Sequence, residues 1–105
     1  MKKSHYIMSY DISSNRLRLA VCKLLQRQGA ERLQKSVFFA PNMLLEEIRE
    51  LRADLQQLML HHPEALPQDS LICFPIRKQS IEEMVWAGES EDLRRLLDEL
   101  LFILL

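Results

Sequence analysis

Glycine and proline are scarce in this chain of 105 residues, which contains only two glycines and four prolines. An all-β protein with many tight turns normally uses more of both, so this composition argues against that fold class. Cysteine is scarce as well, since Cys22 and Cys73 have no partners at metal-ligand spacing and cannot form a disulfide framework. We therefore expect both thiols to be buried as small apolar side chains.

Long hydrophobic runs and an excess of positive charge are also absent. The longest apolar run, Leu100–Leu105, is far shorter than the about 20 residues that span a bilayer. No signal peptide follows Met1–Lys3, so we expect a cytosolic protein without membrane contact. The formal net charge is −1, which means that local basic patches would have to carry any nucleic-acid binding. Because 48% of the residues are apolar, we expect one folded domain with a modest core.

The spacing of apolar residues predicts an alternation of strands and helices. In the first helix Leu17, Val21 and Leu24 recur on one face. We expect a bend near Lys35–Ser36 within the second strand region, and Pro41–Asn42 should end that region. The predicted strands are His5–Tyr10, Leu33–Ala40, Leu71–Ile76 and a short edge strand at Met84–Ala87, and the predicted helices run from a cap at Ser13 or Ser14 to Gly29, from Met43 to Leu60 and from Ser90 to Leu104.

This order of elements fits a ferredoxin-like β-α-β-β-α-β sandwich of the α+β class, with an extra edge strand and a C-terminal helix. Two helices would cover one face of the sheet. Because little chain remains for the other face, we expect a second copy to pack there and form a symmetric homodimer. We predict a domain over residues 1–88 and an amphipathic helix over residues 89–105 for dimer or partner contacts. The apolar stripe of that helix consists of Leu93, Leu96, Leu97, Leu100, Leu101 and Leu104.

Asp11 is the main candidate for chemistry, because it follows an apolar strand directly and precedes a helix. A lone aspartate makes a poor Mg²⁺ site, since that ion is usually held by one or two carboxylates together with waters and phosphate oxygens. A two-fold axis would bring two copies of Asp11 together, and a divalent cation would relieve their repulsion. The alternative is that Asp11 simply caps the following helix or turn.

Basic side chains occur close to Asp11 in sequence and along one sector of the first helix. Such residues can follow a phosphate backbone, which sets affinity for nucleic acid without reading its sequence. The alternative is an ordinary solvated surface. The candidate nucleic-acid-binding residues are Arg16, Arg18, Lys23, Arg27, Arg32 and Lys35.

Four short blocks of sequence carry a resemblance to a known family. The block Tyr6–Ser13 reads YIMSYDIS, and the block Arg32–Phe38 reads RLQKSVF. Further along, Asp69–Ile76 reads DSLICFPI, and Trp86–Gly88 ends a short apolar stretch in glycine. In this order and spacing, over the first 88 residues or so, the blocks resemble the strands of the small CRISPR-associated adaptation proteins of the Cas-two family.

The resemblance implies a ferredoxin-like homodimer whose late strands reach the partner's sheet, and a role in the capture of new CRISPR spacers. In that role the dimer binds double-stranded DNA and bridges two dimers of the CRISPR integrase, Cas-one. The resemblance also implies an alternative, a magnesium-dependent endonuclease on RNA or DNA. There Asp11 of both subunits would bind Mg²⁺, with Ser36 and Phe38 near the site. A third hypothesis is a related toxin-type ribonuclease. A fourth is a ligand-binding regulatory domain, because fold does not determine function.

Three features depart from the family pattern. Leu17 interrupts the basic run that often follows the aspartate matching Asp11. Phe39 stands where an acidic residue often follows the serine–valine–phenylalanine block, which removes one carboxylate from the region. The predicted helix after Gly88 is an addition to the core family domain, so its apolar stripe needs a surface of its own to pack on.

Overall fold

The computed structural model describes residues 2–104 and shows an α+β fold. Outside the described part lie Met1, Leu105 and the side chains of Ile103 and Leu104. The predicted place of Leu104 on the apolar stripe and the outer ends of the predicted segments 1–88 and 89–105 therefore also lie outside it. No helix within residues 2–104 is long and apolar enough to cross a membrane. The strands are β1 (Lys3–Asp11), β2 (Glu31–Gln34), β3 (Val37–Leu44) and β4 (Ser70–Ile76), and the helices are α1 (Asn15–Arg27), α2 (Leu45–His61), α3 (Lys78–Glu82) and α4 (Glu91–Leu104).

The four strands form one antiparallel sheet in the order β2-β3-β1-β4. The central strand β1 pairs on both sides, so that Ile7 lies between Phe39 of β3 and Phe74 of β4. The first six elements of the chain follow the predicted order β-α-β-β-α-β. The α+β class is therefore confirmed, and the strand order is compatible with a ferredoxin-like arrangement.

Helices α1 and α2 cover one face of the sheet and enclose the main core. Met8, Leu17 and Phe38 are completely buried there. The predicted start of α1 is confirmed, because the Oγ atom of Ser14 accepts a hydrogen bond from the amide of Leu17 at 3.2 Å. Gly29 follows the end of α1 with a φ of +87°, a conformation that glycine adopts without a side-chain clash.

The opposite face of the sheet is covered in part by the chain itself. Ile7 and Phe39 pack there against Ile81 of α3 and Leu100 of α4. This corrects the expectation that only a second copy could cover this face, since the amphipathic helix after Gly88 folds back and buries its apolar stripe on the sheet. The buried members of that stripe are Leu93, Leu97 and Leu100.

The predicted break at Pro41–Asn42 is wrong, because β3 continues to Leu44. Two residues of β3 oppose the single residue His5 of β1 at this point, which makes a β-bulge. Asn42 adopts a φ of +52°, and its amide donates to Nδ1 of His5 at 3.0 Å. A bulge tolerates proline in a strand, so β3 continues past Pro41. Because Met43 and Leu44 belong to this strand, α2 begins at Leu45 instead of Met43.

The predicted edge strand at Met84–Ala87 is also wrong for this chain. The short helix α3, which the sequence pattern did not predict, turns the chain from the end of β4 onto the second face of the sheet. The segment therefore does not reach a free sheet edge, and it has no strand partner within residues 2–104. Instead it borders an apolar groove of about 390 Å³, together with Phe74 of β4 and Leu97 of α4.

Candidate nucleic-acid interface

Asp11 is the last residue of the central strand β1 and lies opposite Ser70 of β4. Because side chains alternate along a strand, Asp11 belongs to the second face of the sheet, with Ile7 and Ser9. Its side chain is exposed and makes no hydrogen bond or ion pair with any residue of the described part of the chain. The capping alternative is wrong, since Ser14 caps α1, and the Asp11 carboxylate remains available to a cation or to another molecule.

The loop after Asp11 is held in place from two sides. The Nη1 atom of Arg18 donates to the carbonyl oxygens of Ile12 and Ser13 at 2.9 and 3.3 Å. From the other side the amide of Ser13 donates to Oδ1 of Asp69 at 3.1 Å. These bonds keep the end of β1 in a defined conformation and place a guanidinium group beside it.

Tyr10 connects the end of β1 to the turn between β2 and β3. Its amide donates to the carbonyl oxygen of Ser36 at 3.1 Å, and its hydroxyl donates to the carbonyl oxygen of Lys35 at 2.8 Å. The Nη2 atom of Arg32 donates to the same Lys35 oxygen at 2.8 Å. The predicted bend at Lys35–Ser36 is confirmed, and it lies beside the strand end that carries Asp11.

Tyr10 also provides a prediction about alkaline pH. Burial, together with the hydrogen bond to Cys22, raises the pKa of Tyr10 to about 12 from its ordinary value of 10.0. A raised pKa favours the neutral phenol in the folded state, so its contribution to stability is complete below pH 10 and is lost as the pH rises to 12. We expect the stability advantage of wild type over Tyr10→Phe to fall by on the order of 2 kcal/mol across this range.

Urea denaturation of wild type and Tyr10→Phe at several pH values between 8 and 12 measures this difference. The comparison isolates Tyr10, because the surface lysines titrate in both proteins. A difference in unfolding free energy that stays constant with pH would contradict the prediction.

The remaining predicted site residues take different positions. Phe38 is completely buried under α1 and α2, with its ring centroid 6.3 Å from that of Tyr10, and it belongs to the face opposite Asp11. Arg16 pairs with Glu64, with 3.5 Å between Nε and Oε2. Lys23 and Arg27 are exposed further along α1. The structure thus gathers Arg18, Arg32, Lys35 and Ser36 around the end of β1 and leaves the other predicted residues elsewhere. We call the three cations of this group, Arg18, Arg32 and Lys35, the basic cluster.

Two acidic residues near this site had no signal in the sequence pattern. Asp69 accepts hydrogen bonds from the amides of Ser13 and Leu66, and Glu64 accepts one from the Ser14 hydroxyl at 2.8 Å. Each bond to the Ser13–Ser14 segment joins positions 50 or more residues apart. Only the strand register, which sets Asp11 opposite Ser70, would have located Asp69 beforehand.

Within residues 2–104, a metal site at the end of β1 would rely on the Asp11 carboxylate, because both oxygens of Asp69 already accept backbone amides. Among residues 2–104 no three histidine, cysteine, aspartate or glutamate side chains converge to hold a metal ion. The neighbouring His61 and His62 bond separately to Gln57 and to the amide of Glu64. A Mg²⁺ site would therefore need Asp11 from a second copy, together with water or phosphate oxygens.

The two thiols differ in burial. Cys22 is buried as predicted, and its Sγ atom lies 3.1 Å from the hydroxyl of Tyr10. Cys73 on β4 is half-buried, and this burial raises the pKa of its thiol above the ordinary value. Their main role in the described structure is apolar packing.

Comparison with known proteins agrees with the resemblance seen in the sequence. The sequence model of the family described as CRISPR associated protein Cas2 matches residues 4–84, which is most of the chain and includes all four strands except Lys3 at the start of β1. The chain belongs to the Cas2 family. Membership of Cas2 links the chain to CRISPR function. Helix α4 lies beyond the region that matches the Cas2 model.

The fold of this Cas2 chain is also similar to a solved structure. The crystal structure of a hypothetical protein from Thermus thermophilus is 29% identical, with a TM-score of 0.61. The similarity covers 72% of this chain and 84% of that chain. No curated protein sequence matches this chain at a significant level.

Proposed function

We propose that this chain acts in CRISPR spacer acquisition, as a dimeric subunit that binds double-stranded DNA and bridges dimers of the CRISPR integrase. The observation that carries the proposal is the Cas2 match over residues 4–84, which contains Asp11 and the basic cluster. Its proposed place of action is the cytoplasm. The chemistry of this role is binding and positioning of DNA, with strand transfer left to the integrase.

The basic cluster supports the DNA-binding part of the proposal. Arg18 and Arg32 are both held by hydrogen bonds to backbone carbonyls, so their charges have defined positions near the end of β1. Lys35 lies in the turn between β2 and β3 and is exposed. The whole chain has a net charge of −1, so any attraction for phosphate must come from a local group of cations. The three cations of the basic cluster form such a group.

The uncovered part of the second sheet face supports the dimer. Ile72 is 59% exposed and Phe74 is 40% exposed, and Ile72 lies opposite Ser9 in the strand register. Val85 beside the apolar groove is 91% exposed. A second copy packed on this strip would bury these side chains and bring the two Asp11 carboxylates toward each other across a two-fold axis.

Replacement of Lys35 by alanine tests the DNA contact, because no hydrogen bond or ion pair of this side chain is present in the described structure. We expect Lys35→Ala to weaken binding of a short DNA duplex by about three- to tenfold and to reduce the slope of affinity against salt by about one unit. Fluorescence anisotropy over a series of KCl concentrations measures both quantities. The control is Arg49→Ala, which removes an equal charge from an exposed position on α2. Equal losses in the two variants would argue against a specific DNA surface at the basic cluster.

A second candidate function is a magnesium-dependent endonuclease, favoured by the Asp11 carboxylate at the end of β1, which is exposed and has no partner within residues 2–104. Two such groups related by the two-fold axis would hold Mg²⁺ together with phosphate oxygens of the bound strand. When bound, the ion would supply charge neutralisation and a water of lowered pKa. This function differs from the first in requiring both Mg²⁺ and Asp11.

A further inference from the structure

Glu64 places a negative charge among the cations at the start of α1. Its Oε1 atom accepts a hydrogen bond from the hydroxyl of Ser14 at 2.8 Å, and its Oε2 atom lies 3.5 Å from Nε of Arg16. The Glu64 side chain is 43% exposed and that of Arg16 is 84% exposed, so both groups are accessible to another molecule. An exposed arginine beside a proposed DNA surface is thus neutralised from within the chain.

The segment that carries Glu64 is docked in a defined position. Asp69 anchors one end, because its two oxygens accept the amides of Ser13 at 3.1 Å and Leu66 at 2.8 Å. At the other end the amide of Glu64 donates to Nδ1 of His62 at 3.0 Å. The Glu64 carboxylate therefore reaches Arg16 from a fixed backbone, and its presence there follows from the fold.

We propose that Glu64 competes with nucleic-acid phosphate for Arg16 and for the Ser14 hydroxyl, so that it lowers the affinity of the surface until a bound strand displaces it. Carboxylate and phosphate oxygens accept hydrogen bonds from the same guanidinium and hydroxyl donors, which makes the two anions alternatives at one place. Arg16 lies in the first turn of α1, two residues before Arg18 of the basic cluster, so a strand that reaches Arg16 also lies near that cluster. This inference rests on the proposed nucleic-acid binding and adds its regulation.

Removal of the Glu64 charge tests the competition directly. We expect Glu64→Gln to bind a short DNA duplex about two- to fivefold more tightly than wild type, a modest gain because exposed ion pairs are weak. The slope of log affinity against log salt concentration should steepen by about one unit, the value expected for one more phosphate contact, since Arg16 then pairs with the strand. Fluorescence anisotropy of a labelled duplex at several KCl concentrations gives both values.

Two controls separate competition from a general effect of charge. Glu50→Gln removes the same charge from an exposed position of α2, where no partner of Glu50 is found within residues 2–104. We expect it to change affinity less than Glu64→Gln does. In the background of Arg16→Gln the gain from Glu64→Gln should fall sharply, because the charged donor for which the two anions compete is gone and only the Ser14 hydroxyl remains.

The outcomes distinguish this inference from the function on which it rests. If wild type binds the duplex and Glu64→Gln binds no more tightly than Glu50→Gln, the competition is overturned while the DNA-binding function stands. Weaker binding by Glu64→Gln, with an unchanged melting temperature, would make Glu64 a positioning residue and would also overturn the competition. A wild-type protein that binds no duplex at any salt concentration would overturn both.

Discussion

Replacement of Phe74 by aspartate is expected to convert the proposed dimer into a monomer. Phe74 lies on β4 opposite Ile7, on the face that α3 and α4 leave partly open, and it is 40% exposed in the single chain. A second copy on this strip would bury the side chain at position 74 away from water. An unpaired carboxylate buried there costs several kcal/mol, so we expect the dimer dissociation constant to rise by at least about a hundredfold.

Sedimentation equilibrium over a wide range of protein concentrations measures this constant. Leu60→Asp is the matched control, because Leu60 is 62% exposed on α2, a helix that covers the other face of the sheet. Circular dichroism of both variants checks that they remain folded. A Phe74→Asp protein that dimerises as tightly as Leu60→Asp would place the dimer interface elsewhere, and a wild type that stays monomeric would remove the dimer from the account.

Phe38→Ala is expected to lower the free energy of unfolding by about 3–5 kcal/mol, the range measured for large aromatic side chains removed from well-packed cores. Phe38 is completely buried between the sheet and the helices and packs near the ring of Tyr10. Since small domains are stable by only about 5–15 kcal/mol in total, this loss would remove a large part of the stability of the fold. Any loss of nucleic-acid binding in this variant would then arise from unfolding and from misplacement of Tyr10.

Urea denaturation of Phe38→Ala beside Ser36→Ala tests this explanation. The resemblance to the family places both residues near the same site, but only the backbone carbonyl of Ser36 is used by Tyr10, and alanine keeps that group. We therefore expect Ser36→Ala to change stability by less than about 0.5 kcal/mol, as for most substitutions away from the core. A stable Phe38→Ala protein that had lost nucleic-acid binding would show that Phe38 acts at the site itself.

Local sequence signals predicted the elements whose cause is local. The apolar stripe and Ser14 located α1, because a helix of this kind needs only its own periodicity and a cap. The bend at Lys35–Ser36 followed from a polar pair between two β-forming segments. Asp11 was found because it stands at the end of an apolar strand, and its carboxylate has no hydrogen-bond or ion-pair partner among the described residues.

The features that sequence reasoning missed depend on contacts between distant parts of the chain. Helix α4 was correctly predicted, but its packing on Ile7 and Phe39 depends on where the sheet leaves an open face. The absence of the predicted strand at Met84–Ala87 also depends on distant contacts, because α3 packs on the sheet and directs the following segment across its second face. The bonds of Asp69 and Glu64 join residues 56 and 50 positions apart, and no periodicity encodes such pairs.

Spacer integration with purified components is the most direct test of the proposed role. The assay combines the cognate integrase, a DNA fragment and a CRISPR array with wild type, with Asp11→Asn or without this chain. We predict that integration requires this chain and that Asp11→Asn supports it as well as wild type, because the role is to bind and bridge. Loss of integration with Asp11→Asn, while the dimer and integrase binding remain intact, would favour the metal-dependent alternative. Equal integration by the integrase alone would contradict the account.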